Sequence, residues 1–180
     1  MKRRKLFVST IAAGALALVS VPLHAASSPG VGLNVTASVA AQCIVSSTSD
    51  VAFGAYDPLG ANATTDLQGQ GQLGIKCTPG SGVSIAIDNG AHASGNQRRM
   101  AAAGGSTLDY GLYTDGARTA AFAWGNGSNG ASPLSISSAA NAAEQLFVVY
   151  GLVPMASAQP AAFTYEAGNY SDIVQVTVNF

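Results

Sequence analysis

Charge is scarce in this chain. Of 180 residues only 8 are Lys or Arg and 9 are Asp or Glu. Lys2, Arg3, Arg4 and Lys5 crowd the extreme N-terminus, so downstream only Lys76, Arg98, Arg99 and Arg118 oppose nine acids, a balance of −5. That balance argues against nucleic acid or anionic lipid as partners. Histidine is rarer still: beyond residue 25 there is only His92, in a Gly/Ala/Ser-rich stretch. A loop histidine without a second His or a free Cys nearby reads as a solvated residue, not as a base or metal ligand. A secreted hydrolase is disfavoured on the same ground, and neither catalysis nor a cofactor is expected. Aromatic residues make up 7% of the chain, too few for the girdles of a small outer-membrane β-barrel, which remains the less favoured architecture.

Long apolar runs are confined to the start. Leu6 to Val21 follows the four basic residues and leads into Ala25 and Ala26. The run is shorter than the roughly 20 residues of a membrane span. Residues 1–25 read as a secretory signal peptide, cut after Ala25 or Ala26, and no cysteine follows the cut as in a lipoprotein. The two cysteines, Cys43 and Cys77, survive cleavage, and an even count in an exported chain predicts one disulfide between them.

What is present is alternation. Val174, Val176, Val178 and Phe180 alternate with Gln175, Thr177 and Asn179, so one face of a C-terminal strand is apolar. Val31, Leu33, Val35, Ala37 and Val39 alternate in the same way near the other end. Between them, Leu73/Ile75/Cys77, Val83/Ile85/Ile87 and Leu108/Tyr110/Leu112 predict further strands, and Asn89-Gly90 a tight turn. Residues 146–150 are apolar on both faces and predict a central strand. Gly69-Gln-Gly71 and Gly80-Ser-Gly82 read as turns, Arg98-Arg99 as a solvated strand edge. Residues 139–144 have helical propensity but no amphipathic repeat, so no helix of ordinary length is expected. Many short strands separated by turns indicate a β-sandwich. Alternating strands at both termini suggest a subunit that lends a strand to one neighbour and borrows one from another.

Several segments together resemble the spore coat protein U domain family, which includes subunits of archaic chaperone–usher pili. They are Val35-Thr-Ala-Ser-Val-Ala-Ala-Gln-Cys43, Phe53-Gly-Ala-Tyr-Asp-Pro58, Leu73-Gly-Ile-Lys-Cys77, Arg98-Arg-Met100, Leu112-Tyr-Thr-Asp115, Trp124-Gly-Asn-Gly127, Val149-Tyr-Gly151 and Gly168-Asn-Tyr-Ser-Asp-Ile-Val-Gln-Val-Thr-Val-Asn-Phe180. Each is weak alone; in this order they are fairly specific. One departure is the stretch 161–167, longer and more apolar than the family's usual approach to the final Gly-x-Tyr.

The resemblance implies an all-β, incomplete immunoglobulin-like sandwich that lacks its seventh strand. A periplasmic chaperone would fill the gap first. The N-terminal extension of the next subunit would then replace it at an outer-membrane usher, giving a head-to-tail fibre at the cell surface that supports adhesion and biofilm formation. Residues 26–40 are then the extension, with Val31, Leu33, Val35, Ala37 and Val39 as donor-strand anchors, and 41–180 the subunit body. Asp172, Val174, Val176, Val178 and Phe180 are expected in a C-terminal core strand that contacts the chaperone, Asp172 at the groove entrance. The alternative within the family is a secreted surface-coat protein that forms no long fibre.

Overall fold

The computed structural model describes residues 27–160 and 165–180. The expected signal peptide at 1–25, and residues 161–164 of the departing stretch, lie outside the described residues. The chain divides into two units, Met1–Ala37 and Ser38–Phe180. In the first, residues 27–37 carry neither helix nor strand.

The second unit is built of strands. They are β1 (Cys43–Ala52), β2 (Leu67–Cys77), β3 (Val83–Ile87), β4 (Arg98–Ala102), β5 (Thr107–Tyr113), β6 (Leu134–Ile136), β7 (Gln145–Val153), β8 (Tyr170–Ser171) and β9 (Val176–Asn179). Only short 3-10 turns interrupt them among the described residues. A six-stranded antiparallel sheet has the order β1-β2-β7-β5-β4-β8, and a three-stranded one the order β6-β3-β9. Both sheets are open among the described residues, so the strands form a sandwich and do not close into a barrel.

Period-two alternation explains what each sheet contributes. Leu73 and Ile75 of β2, Leu108, Tyr110 and Leu112 of β5, and Val149 and Val153 of β7 point inward from the large sheet. Val83, Ile85 and Ile87 of β3 meet them from the small one. The apolar run at 146–150 does lie in a central strand, since β7 sits between β2 and β5. Trp124 is fully buried between the layers. Its backbone N–H donates to Leu112 O at 2.9 Å, and its indole Nε1 donates to Ile85 O at 2.8 Å, so one residue ties the two sheets together.

The structure departs from the sequence pattern at two places, the first being Gly69-Gln-Gly71. Gly69 and Gly71 are not a turn; they lie inside β2. They are glycines because the end of β1 crosses over them. β1 carries register shifts between Val45 and Ser47 and between Ser49 and Ala52, and the second lays Val51 and Phe53 on the sheet. A Cβ at Gly71 would lie 2.6 Å from Ser49 O, and one at Gly151 of β7 would lie 2.6 Å from Val51 Cγ1 and 2.7 Å from the Phe53 ring. Glycine in a strand here marks a close approach of another segment. Gly151→Ala is expected to cost about 1–3 kcal/mol by overpacking. Urea unfolding followed by the fluorescence of the single tryptophan would show it as a lower midpoint; an unchanged midpoint would mean that Phe53 is free to move aside.

The second correction is Arg98. It is not at a solvated edge: only 6% of it is exposed. Its guanidinium donates to three backbone carbonyls, Asp88 O at 2.8 Å, Ile87 O at 3.0 Å and Trp124 O at 2.9 Å. Burial pulls its pKa below the usual guanidinium value, while Tyr110, Asp88 and Asp172 nearby act in the opposite direction. Arg99 faces the other side of the sheet, with Nε 2.9 Å from Asp109 Oδ1.

Candidate functional site

β1 has one ladder partner, β2, and the opposite edge of β1 is unpaired among the described residues. β9 likewise pairs only with β3. These edges of β1 and β9 belong to different sheets. Parts of β1 and β9 come within 8 Å of one another between Cα atoms, yet no ladder joins them. Val45 of β1, on the same face as the buried Cys43, and Phe180 just after β9 are exposed, while Ile44, also exposed, points to the opposite face of β1. Val174, Val176 and Val178 are half-buried against the core. An unpaired strand edge with an apolar flank is a template for another strand.

The first ladder pair of β1 is Cys43 opposite Cys77, and the two are joined by a disulfide with Cα atoms 4.1 Å apart. Thr78 N extends the pairing by donating to Gln42 O at 2.8 Å. At the first irregularity of β1, Ser46 Oγ and Ser47 Oγ both donate to Glu144 Oε1, at 2.6 and 2.9 Å. These bonds, Ser46's first, hold the Glu144 carboxyl below its ordinary pKa. β1 is thus anchored on its inner edge covalently and by an acid from the β6–β7 connection, while its outer edge stays free.

Of the proposed donor anchors, Val31, Leu33 and Val35 are between 88% and 94% exposed, and Ala37 is exposed in the same unit. Val39, in the second unit, is also exposed and precedes β1. They lie outside any strand, so the alternation seen in the sequence has no sheet to serve among the described residues.

The C-terminal run is not one continuous strand. Tyr170 and Ser171 end on the large sheet against β4, and Val176 resumes on the small sheet against β3. The crossing is held by polar contacts. Asp172 has a side chain only 2% exposed. Its Oδ2 accepts a 2.6 Å bond from Tyr110 Oη, and its Oδ1 accepts from Ala91 N at 3.0 Å and His92 N at 3.2 Å. His92 Nδ1 lies 3.0 Å from the same Oδ1. Burial, then the bond to Asp172 and its charge, push the Tyr110 phenol well above its ordinary pKa. Asp88 works alongside: its Oδ1 accepts from Gln175 N at 2.8 Å, and its backbone N–H donates to Gln175 O at 3.1 Å.

Tyr110, His92, Arg98 and Asp88 were not legible as parts of a site. The one available signal was Tyr110, since alternation with Leu108 and Leu112 turns its ring inward and a buried phenol needs an acceptor. Elsewhere, a cavity of about 760 Å³ lies between the end of β1, Tyr165 and Tyr170. Tyr56 on its wall donates to Pro154 O at 2.9 Å, and burial, followed by Tyr165, pushes its phenol up to about 12. Among the described residues no group of three His, Cys, Asp or Glu is placed to hold a metal.

Two open sheets with neighbouring unpaired edges define an incomplete β-sandwich among the described residues. The model of the Spore Coat Protein U domain matches residues 31–177, and the chain belongs to that family. It is 33% identical to Protein U of Myxococcus xanthus over 192 residues, with both chains covered in full. Its fold is similar to a chain in the crystal structure of the CsuC–CsuE chaperone–tip adhesion subunit pre-assembly complex, from the archaic chaperone–usher Csu pili of Acinetobacter baumannii. The TM-score is 0.51 at 22% identity, covering 79% of this chain and 40% of that one.

Proposed function

We propose that this chain is a structural subunit of a surface fibre assembled by strand donation. The observation that carries it is the neighbouring free edges of β1 and β9, on a sandwich whose chain also carries an exposed, alternating apolar segment with no strand partner among the described residues. In this reading residues 26–40 form the extension and 41–180 the subunit body. Val31, Leu33, Val35, Ala37 and Val39 enter the open edge of the neighbouring subunit. Backbone bonds give affinity, and alternate side chains fill pockets. Burying several of them yields on the order of 10 kcal/mol before ordering costs. A head-to-tail contact of this kind does not close on itself, so it propagates.

An exposed edge also needs protection before assembly. A periplasmic chaperone supplies it, with Val174, Val176, Val178 and Phe180 as its contacts, and an outer-membrane usher exchanges chaperone for extension. The fibre lies outside the cell, where its role is adhesion and biofilm formation rather than catalysis. The full-length similarity to Protein U, in a family named for the spore coat, favours a second reading: a secreted coat protein that associates on the surface without a long fibre.

Leu33→Asp and Val35→Asp test the first reading, because each places a charge in an apolar pocket without a partner. The body is untouched, so the chaperone-bound subunit is expected to accumulate as in the parent while surface fibres are lost. Electron microscopy of sheared surface material, alongside periplasmic fractions, reads both. Normal fibres would overturn the donor assignment; loss of the folded subunit would place this segment in the subunit's own sheet. Parental surface material without filaments would favour the coat.

A further inference from the structure

The C-terminal strand has a register problem that its own residues do not solve. Val174, Val176, Val178 and Phe180 recur every second position, and the ladder to β3 is four pairs long, from Ile87 opposite Val176 to Ser84 opposite Asn179. A slip of one residue would turn the polar side inward and is forbidden by packing. A slip of two keeps every face: in one direction it replaces valine by valine, in the other it sets Phe180 in the place of Val178. Such a slip moves the strand by about 7 Å.

What distinguishes the two states lies upstream of the repeat. Asp172, at the crossing between the sheets, is held by Tyr110 Oη from the large sheet and by Ala91 N and His92 N from the β3–β4 connection. Ala91 N also donates to Ile173 O at 3.1 Å, and Asp88 holds both backbone groups of Gln175. Arg98 in turn holds the carbonyls of Ile87 and Asp88. A two-residue slip would carry the Asp172 carboxylate away from these donors and leave a buried charge unpaired, a heavy penalty.

We propose that Asp172, clamped by Tyr110 and the 88–92 connection, is the positioning residue that sets the register of β9 and hence of the acceptor edge. The functional consequence rests on the strand-donation reading: donor and acceptor both repeat every two residues, so an acceptor displaced by two would offer pockets out of step with β1.

Register is read directly by cross-linking in the exported full-length chain. Ser84→Cys with Asn179→Cys reports the native pairing, as these residues face each other. Ser84→Cys with Thr177→Cys, and Ala86→Cys with Asn179→Cys, report slips of two in the two directions. In the parent only the native pair is expected to close. Asp172→Ala is expected to raise a slipped cross-link about tenfold, as loss of charged hydrogen bonds implies, whereas Asp172→Asn, which keeps an acceptor oxygen, restores most of the native pairing. Parental cross-linking in Asp172→Ala would overturn the proposal. Should that variant not accumulate, Tyr110→Phe, which removes one oxygen and no part of β9, decides by the same criterion. Fibre yield is measured on the same strains. Lost fibres with native register overturn the positioning role and leave strand donation standing; slipped register with normal fibres supports the positioning role and overturns donation along β9.

Discussion

Trp124→Ala is expected to remove about 3–5 kcal/mol of stability, and the folded subunit should fall to a small fraction of its parental amount. The residue is fully buried between the sheets and is the largest side chain in the core. Deleting the indole opens a void that close-packed neighbours fill only in part. It also strips Ile85 O of the Nε1 donor, a further loss of about 0.5–1.5 kcal/mol for one hydrogen bond. Against a total of about 5–15 kcal/mol for a domain, these losses are decisive. Trp124→Phe separates them, since it keeps much of the ring volume and loses the donor. Thermal unfolding by circular dichroism should rank the chains parent, Phe, Ala. An alanine variant within about 1 kcal/mol of the parent would mean that Trp124 does not hold the layers together, a result at odds with core truncations generally.

The second large effect is expected from Cys43→Ala with Cys77→Ala. The bond joins positions 34 apart in sequence, and the chain-entropy relation gives about 4 kcal/mol for a loop of that length. Free-thiol labelling of the parent under denaturing, non-reducing conditions should find no thiol. The double variant should unfold at a markedly lower urea concentration, and reduction of the parent should reproduce that shift. A parent whose stability is indifferent to reductant would show that the ladder from Val45 onward holds β1 without the bond. Both measurements concern the body alone, so they stand whichever partner occupies the open edge.

Sequence carried the fold where one face of a strand is apolar. β2, β3, β5 and β7 announce themselves by alternation or by a run apolar on both faces, and the sandwich follows from them. β1 was visible only at its ends, because between them Ser46 is half-buried, Ser47, Thr48, Ser49 and Asp50 are exposed, and none follows an apolar rhythm. Gly69, Gly71 and Gly151 carry no sign of what they make room for; only the folded path of Val51 and Phe53 explains them. Arg98 looked like a surface residue because a charge is normally solvated, and nothing local reveals three carbonyls converging on it. The break at 172–175 was hidden for a related reason. The valine repeat reads smoothly through it, while the contacts that bend the chain come from residues 62 to 87 positions earlier. The candidate site was legible as two alternating termini, but its polar framework is wholly long-range.

The disulfide has a mechanical reading. In a fibre held by strand donation, tension on a subunit enters through the extension and reaches the body at Cys43. β1 and β2 are antiparallel, and Cys43–Cys77 is their first pair. A pull from that end loads the ladder one rung at a time, the peeling geometry in which hydrogen bonds yield at low force. A covalent rung at the point of entry stops the peel before it starts and passes the load to β2. That strand is flanked on both sides and shares nine residue pairs with β7. In such a fibre the weakest link under traction then moves away from the start of β1, to the non-covalent joint between one subunit and the next.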